Sequence, residues 1–246
     1  GQIVALVGSR DFNYAGFGQD NAATAFIQPG STIKPLVYAQ LFQNKGNGKT
    51  NYGSGSVLSD SKISFGSWTP QNADGKFQNN INLRQALARS RNIPAIKAMQ
   101  ENERNKRGSP WQTIRDMGDS AYCTQGADSQ AGLSSAIGSC GTRLVDHVNA
   151  IASLARMGTY TPQSTVLKVT NSTGQVLKQY TASTKQVIDQ QAAYIVNDIL
   201  GDSSARANLG GGQDYMPQMN RLKAKTAVKT GTSNSEINGK VVAKDI

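Results

Sequence analysis

The order of apolar and polar residues predicts a strand, a loop and a helix at the start of the chain. A run of apolar positions in residues 1–8 is typical of a strand, and residues 9–28, rich in Gly, Asn and Asp, predict a loop. Pro29 and Gly30 end that loop, and beyond them apolar residues recur with the spacing of an amphipathic helix that has one apolar face. The pattern of this helix runs through Leu36, Val37, Ala39, Gln40 and Leu41.

The remainder of the chain predicts more helices than strands. Residues 81–100 indicate two short helices separated by a hinge at 90–94, and Pro94 is expected to keep that hinge non-helical. The same periodicities predict further elements: helices over 144–157 and 185–200, a hairpin over 166–180 that turns at 171–174, and a strand over 224–231. One side of the 144–157 helix carries Leu144, Val148, Ile151, Ala152 and Ala155. No repeat or linker divides the chain, which predicts a single domain.

The charge balance is basic, with 26 Lys and Arg residues against 16 Asp and Glu. A positive field attracts nucleic acid, anionic membranes or acidic polymers. The basic residues are spread along the chain without an aromatic-interleaved stripe, so we expect no nucleic-acid partner and a mostly solvated set of charges. The sequence has no apolar run long enough to span a membrane, and residues 1–8 lack the features of an export signal. Any signal or anchor is therefore expected outside this sequence.

The two cysteines, Cys123 and Cys140, are too few for a disulfide scaffold. The sequence also lacks the second cysteine pair or the histidine cluster that a zinc site needs. We therefore expect no metal and no other cofactor, and a single disulfide stays open at this point.

Ser31 and Lys34 lie three residues apart at the predicted start of the first helix, so their side chains share one face. Unpaired N–H groups point outward from a first helical turn and can stabilise an oxyanion. A lysine whose pKa is lowered by burial and nearby cations can accept the proton of an attacking serine hydroxyl. The pair indicates a serine nucleophile with a lysine base, although S-x-x-K alone is a common chance pattern.

Two further motifs offer the polar groups that such a nucleophile needs. Ser90 and Asn92 lie in the predicted hinge, where a hydroxyl could relay a proton and an amide could orient a substrate amide. Lys229 and the residues after it offer a cation and hydroxyls for a carboxylate, and Gly231 leaves room for its approach.

The three motifs in this order, here Ser-Thr-Ile-Lys, Ser-Arg-Asn and Lys-Thr-Gly, are the set used by penicillin-binding proteins and class A β-lactamases. The surrounding sequence resembles the transpeptidase domain of the class A, bifunctional penicillin-binding proteins over almost the whole chain. The stretches that carry this resemblance are residues 1–8, 28–35, 82–95, 138–174 and 229–234. Within them, residues 139–143 are unusual in detail.

The resemblance implies an α+β fold, with an antiparallel sheet flanked by helices and an all-helical region inserted. It implies four catalytic residues: Ser31 as the acylated nucleophile, Lys34 as its general base, Ser90 as the proton shuttle and Asn92 as the group that holds the donor amide. It also implies a substrate-binding strand: Lys229, Thr230, Gly231 and Thr232, with the N–H group of Thr232 completing the oxyanion hole.

By the same resemblance we expect a DD-transpeptidase that cross-links peptidoglycan stem peptides through a serine acyl-enzyme and is inhibited covalently by β-lactams. The expected partners are D-alanyl-D-alanine donors, amine acceptors and β-lactams. The work of such an enzyme places it at the extracytoplasmic face of the bacterial cell membrane. Because that compartment is oxidising, we expect Cys123 and Cys140 to form a disulfide.

The family's domain has one more strand before the position of Gly1, and further strands and a helix after the Lys-Thr-Gly strand. A glycosyltransferase domain usually precedes it. The resemblance therefore implies that residues 1–246 are one incomplete transpeptidase domain of a larger parent protein.

Four other activities compete with this interpretation. A Ser-His-Asp hydrolase would have to use His147, the single histidine, which we expect to be a partly exposed helix residue. A β-lactamase would need a carboxylate base for the deacylating water. Glu101 and Asn105 have a superficially suitable spacing, but we interpret residues 101–105 as a solvated helix face. A DD-carboxypeptidase, and a non-catalytic β-lactam sensor or wall-binding module, stay open.

Overall fold

A computed structural model describes residues 1–46, 48–105, 109–125, 132–206, 226–237 and 240–245 of the chain. The helices in this part are α1 (Lys34–Leu41), α2 (Leu83–Ala88), α3 (Asn92–Arg104), α4 (Pro110–Asp116), α5 (Leu144–Ala155), α6 (Gln190–Gly201) and α7 (Ser203–Arg206). The strands are β1 (Phe26–Ile27), β2 (Val57–Asp60), β3 (Asn79–Asn82), β4 (Thr142–Arg143), β5 (Thr159–Tyr160), β6 (Lys168–Thr170), β7 (Val176–Gln179), β8 (Lys185–Gln186), β9 (Thr232–Ile237) and β10 (Lys240–Asp245). Two 3₁₀ turns cover Gly30–Ile33 and Leu133–Ile137.

The strands form antiparallel pairs that lie around a helical core. The pairs are β1 with β4, β2 with β3, β5 with β8, β6 with β7, and β9 with β10. The mixed α+β class with antiparallel strands is confirmed. In the described part of the chain, the strands are distributed over these two-stranded pairs.

Helix α1 lies at the centre of the core. All eight of its residues are buried, so the predicted helix is present but the prediction of a single apolar face is wrong. The reason is that α1 packs against helices on every side, namely α2, α3, α4, α5 and α6. Burial of each large side chain, such as Leu36 or Leu41, contributes about 1.5–3 kcal/mol to folding.

Helix α5 confirms the helix predicted over 144–157, but its apolar stripe does not face the core. Leu144, Val148 and Ile151 are exposed. His147 is only 7% exposed, because its Nδ1 lies 2.7 Å from Oδ2 of the fully buried Asp119. The expectation of a partly exposed histidine is therefore wrong: a buried polar partner, which helical periodicity does not reveal, turns this side of α5 inward.

Three predicted element boundaries are wrong because strands need pairing partners. Within the part of the chain that the structure describes, Gln2 is the only one of residues 1–8 with such a partner, a bridge to Ser164, and Val4 and Val7 are exposed. The helix predicted from residue 185 begins at Gln190, because the residues before it form β8 and pair with β5. The strand predicted over 224–231 is also displaced. No strand covers 226–231, and β9 begins at the next residue, Thr232. Residues 224–225 lie outside the described residues. The hairpin predicted over 166–180 is confirmed as β6 and β7.

The predicted hinge between two short helices is present, but it is shorter than expected. Helix α2 ends at Ala88 and α3 begins at Asn92, so that Pro94 lies in the first turn of α3. Proline is tolerated there because the first-turn N–H groups have no partner within the helix. The continuation of α3 through residue 104 is confirmed. Its predicted solvated face is wrong at Asn102, which is buried and donates to the Val37 carbonyl.

The expected disulfide between Cys123 and Cys140 is confirmed. The segment that it closes includes Gly138, whose φ is +81°, a conformation that favours glycine. A Cβ atom at Gly138 would overlap the backbone of Gly30. The disulfide therefore closes a segment that packs directly against the residue before Ser31. Among the described residues, no helix combines the length and apolar character needed to cross a membrane.

Candidate active site

Ser31 lies in the 3₁₀ turn that leads into α1. The N–H group of Lys34 donates to the Ser31 carbonyl, and Pro35 occupies the first turn of the helix, where proline is favoured. The turn begins at Gly30, whose φ is +54°. A Cβ atom at this glycine would overlap the backbone of Thr232, so the turn and the start of β9 are in close contact. The sequence Pro-Gly thus permits a tight turn that places Ser31 one turn before Lys34.

The Lys-Thr-Gly segment lies against the same turn. A Cβ atom at Gly231 would lie 2.7 Å from Cγ2 of Thr32 and 3.0 Å from the Pro29 carbonyl oxygen. Gly231 is buried, whereas Thr232 is exposed. The absence of a side chain at Gly231 therefore allows this segment to approach Pro29 and Thr32, on either side of Ser31 in the chain.

The side chain of Lys34 is fully buried and points to the hinge between α2 and α3. Its Nζ donates to the Ser90 carbonyl and to Asn92 Oδ1, each at 2.7 Å, and lies 3.3 Å from Ser90 Oγ. The side-chain Nδ2 of Asn92 donates to the Gln71 carbonyl, and this bond keeps Oδ1 of the same side chain directed toward Lys34. The amine of Lys34 is therefore held among three oxygens, two from Ser90 and one from Asn92.

Ser90 stands between two lysines. Its Oγ accepts a hydrogen bond of 2.7 Å from Nζ of Lys229 and lies 3.3 Å from Nζ of Lys34. Lys229 also donates to the Thr230 carbonyl at 2.7 Å. The φ of Ser90 is +56°, a left-handed conformation that costs a non-glycine residue about 1–3 kcal/mol. The surrounding contacts must therefore stabilise this backbone conformation, which brings both the carbonyl and the hydroxyl of Ser90 to Lys34.

The electrostatics of the cluster favour neutral amines. Burial lowers the pKa of Lys34 well below its ordinary value, and the nearby charges of Lys229 and Arg91 lower it further. Burial, and then the charge of Arg206, lower the pKa of Lys229 to about 7. Lys34 can therefore serve as a base at neutral pH, while Lys229 changes its charge near neutrality.

The structure joins most of the predicted site residues directly. Hydrogen bonds connect Lys34, Ser90, Asn92 and Lys229, while close packing at Gly30 places the Thr232 backbone against the turn that holds Ser31. Within the described residues, Ser31 Oγ makes no hydrogen bond to Lys34, whose Nζ is directed to the hinge. In the same part of the chain, no group of His, Cys, Asp and Glu side chains is arranged to hold a metal ion.

Sequence reasoning missed the residues that surround this cluster. Asp60, Asn72 and Arg91 are buried beside the hinge and hydrogen-bond to one another. One signal was available, because an arginine stands between the two polar residues of the Ser-Arg-Asn motif. Its partners are distant in sequence: Asp60 ends β2, and Asp74 and Lys76 lie in the loop between β2 and β3.

Comparison with known proteins identifies the type of domain. The family model of the penicillin binding protein transpeptidase domain matches residues 1–241. The chain is 31% identical over 239 residues to Penicillin-binding protein 2D of Bacillus subtilis (strain 168), which covers 96% of this chain and 33% of that protein. It is 30% identical over 240 residues to Penicillin-binding protein 1A of Neisseria lactamica, with 95% of this chain and 28% of that protein covered.

Solved structures show the same fold. The penicillin-binding protein PonA1 from Mycobacterium tuberculosis superposes with a TM-score of 0.70 and 22% identity, covering 97% of this chain and 60% of that chain. Penicillin-Binding Protein 1A from Haemophilus influenzae gives a TM-score of 0.65 and 20% identity, covering 94% of this chain and 37% of that chain. The chain spans about a third of the length of the curated relatives described above.

Proposed function

Because this chain belongs to the penicillin-binding protein transpeptidase family, we propose that it cross-links peptidoglycan stem peptides through an acyl-enzyme on Ser31. The observation that carries the proposal is the position of Ser90, whose hydroxyl contacts the amine of Lys34 and that of Lys229. Such a hydroxyl can pass a proton between a base and a leaving group.

In the first half-reaction, Ser31 Oγ attacks the carbonyl carbon of the penultimate D-alanine and the Oγ–C bond forms. Neutral Lys34 takes the hydroxyl proton, and the N–H groups of Ser31 and Thr232 stabilise the oxyanion. The C–N bond to the terminal D-alanine then breaks. Its nitrogen takes a proton from Ser90, which recovers one from Lys34. The terminal carboxylate is held by Lys229 and Thr230.

In the second half-reaction, the amine of an acceptor peptide attacks the ester. A new C–N bond forms, the C–Oγ bond breaks, and the proton of the amine returns to Ser31 through Lys34. Asn92 holds the amide of the donor peptide through its side chain. A β-lactam would follow the first half-reaction, but its leaving nitrogen stays tethered, so the ester persists and the enzyme is inhibited.

The parent protein's setting is proposed on the same basis. The transpeptidase domain, which we propose residues 1–246 form in part, would act at the extracytoplasmic face of the bacterial cell membrane. It would work beside a glycosyltransferase domain, and its partners would be stem peptides and β-lactams. The basic charge of the chain is compatible with an acidic wall polymer.

The test is mass spectrometry of the complete natural polypeptide after a penicillin pulse, with peptide mapping of the adduct. We expect one adduct on Ser31 and none in Ser31→Ala. Lys34→Ala should slow acylation about 10²–10⁴-fold through loss of the base. Lys229→Ala should weaken capture of the carboxylate while still allowing the adduct at high penicillin concentration. As a matched control, Lys178→Ala removes an exposed lysine of β7 and should change nothing.

A second assay separates the competing activities. The polypeptide is incubated with a peptide that ends in D-alanyl-D-alanine, with and without an acceptor amine. Cross-linked product supports the proposal, release of D-alanine alone indicates a carboxypeptidase, and an adduct without any peptide turnover indicates a sensor. An adduct on another residue, or an acylated Ser31→Ala variant, would contradict the site.

A further inference from the structure

We propose that Arg91, Asp60 and Asn72 are positioning residues that hold Ser90 and Asn92 against Lys34, an inference that rests on the proposed function. They form a hydrogen-bonded polar network beside the hinge. All three are buried, with exposed fractions of 6%, 0% and 4%.

Arg91 fixes the hinge through three hydrogen bonds of its guanidinium group. Its Nε donates to Asp60 Oδ2 at 2.9 Å, its Nη1 to Asp74 Oδ2 at 2.9 Å, and its Nη2 to the Lys76 carbonyl. The planar guanidinium thus has three acceptors in a fixed arrangement, which a lysine could not reproduce. Because the side chain of Arg91 is held in this direction, its neighbours Ser90 and Asn92 are free to point toward Lys34.

Asp60 is the centre of the network. Its Oδ2 also accepts from the N–H group of Gln78 at 3.1 Å, and its Oδ1 accepts from Nδ2 of Asn72 at 2.7 Å. Asp60 therefore links Arg91 to Asn72 through its two carboxylate oxygens.

Asn72 caps α3 from outside the helix. Its Oδ1 accepts from the N–H group of Asn92 at 2.7 Å and from that of Ile93 at 3.4 Å. The residue before α3, Arg91, provides no side-chain cap. Since the first N–H groups of a helix have no partner within it, Asn72 satisfies groups that would otherwise be buried without one. The same bond fixes the backbone of Asn92, whose side chain accepts from Lys34.

The network is expected to affect the reaction in two ways. It sets the directions of Ser90 and Asn92, and a displacement of about 1 Å in such groups can cost about 10²-fold in rate. It also places the Arg91 charge near Lys34, which faces two cations, Arg91 and Lys229. Loss of the guanidinium should therefore slow acylation and also raise the pKa of Lys34.

The test measures the second-order rate constant of acylation by a penicillin against pH, in the complete natural polypeptide. In Arg91→Met, we expect acylation about 10²-fold slower and an acidic limb shifted upward. Arg91→Lys keeps the charge and loses the three-way geometry. It should therefore be slow with an unshifted limb, and this difference separates positioning from a general loss of structure.

Arg84→Met is the matched control, because Arg84 also pairs with two carboxylates, those of Asp198 and Asp202, but lies away from the hinge. It should keep the wild-type rate and pH profile. If Arg91→Met does not fold, Arg91→Lys decides, together with Asp74→Ala, which removes one half-exposed acceptor and should slow acylation less.

Wild-type rates in both Arg91 variants would overturn the inference. A wild-type rate in Arg91→Lys, in which only the three-way geometry is lost, would also overturn it. Failure of the proposed function would be read separately, as an absence of the Ser31 adduct in the wild-type protein.

Discussion

Reduction of the Cys123–Cys140 disulfide should lower the thermal stability of the domain by an amount that the loop length sets. The two cysteines are 17 residues apart in sequence. In the chain-entropy model, a loop of this length stabilises the folded state by about 3 kcal/mol. In a domain of this size, each 1 kcal/mol shifts Tm by about 2–4 °C, so reduction should lower Tm by about 6–12 °C.

The assay is thermal unfolding followed by circular dichroism, with and without a thiol reductant. Mass spectrometry of alkylated protein confirms that both thiols are free. The control is the double variant Cys123→Ala and Cys140→Ala, whose Tm should not respond to the reductant. An unchanged Tm in fully reduced wild-type protein would refute the reasoning.

The same reduction should affect acylation before the domain unfolds. The closed segment includes Gly138, which packs against the backbone of Gly30 next to Ser31. A looser segment should therefore slow acylation by penicillin at 25 °C, where the reduced protein is still folded. An equal acylation rate in the two redox forms would show that the turn is held by the core alone.

Three further outcomes are expected. The second-order rate constant of β-lactam acylation should fall as pH rises through about 7. The reason is that Lys229 then loses the charge that holds the carboxylate in the proposed mechanism. A flat profile from pH 6 to 9 would contradict this. His147→Ala should leave acylation nearly unchanged. It should lower the free energy of unfolding by about 2 kcal/mol, because buried Asp119 loses a hydrogen-bond partner. Denaturant titration measures this loss. Gly138→Ala should destabilise the domain and slow acylation, whereas Gly174→Ala, also at positive φ but in open space, should cost only about 1–2 kcal/mol and leave the rate unchanged.

The grouping of the candidate site residues was more predictable from sequence than the packing around them. Ser31, Lys34 and Ser90 stand in motifs whose order along the chain is informative, and a helical start after Pro-Gly follows from local chemistry alone. The burial of α1 on all sides does not, because it depends on helices that are distant in sequence. A single amphipathic pattern cannot report how many neighbours a helix will have.

Two other errors have the same physical origin. The polar side of α5 faces inward because His147 meets Asp119, a residue 28 positions earlier in the chain. Residues 1–8 have the composition of a strand but only one bridging partner, at Gln2. In both cases the outcome depended on contacts with residues distant in sequence, and the local sequence pattern does not indicate such contacts.

The complete burial of α1 limits how this protein could evolve under an inhibitor. Every residue of Lys34–Leu41 contacts the interior, so a change on this helix would be selected against through folding before its effect on drug sensitivity mattered. Adaptive variation that reduces acylation by an inhibitor is therefore expected at exposed positions, and not on the helix that follows the proposed nucleophile Ser31.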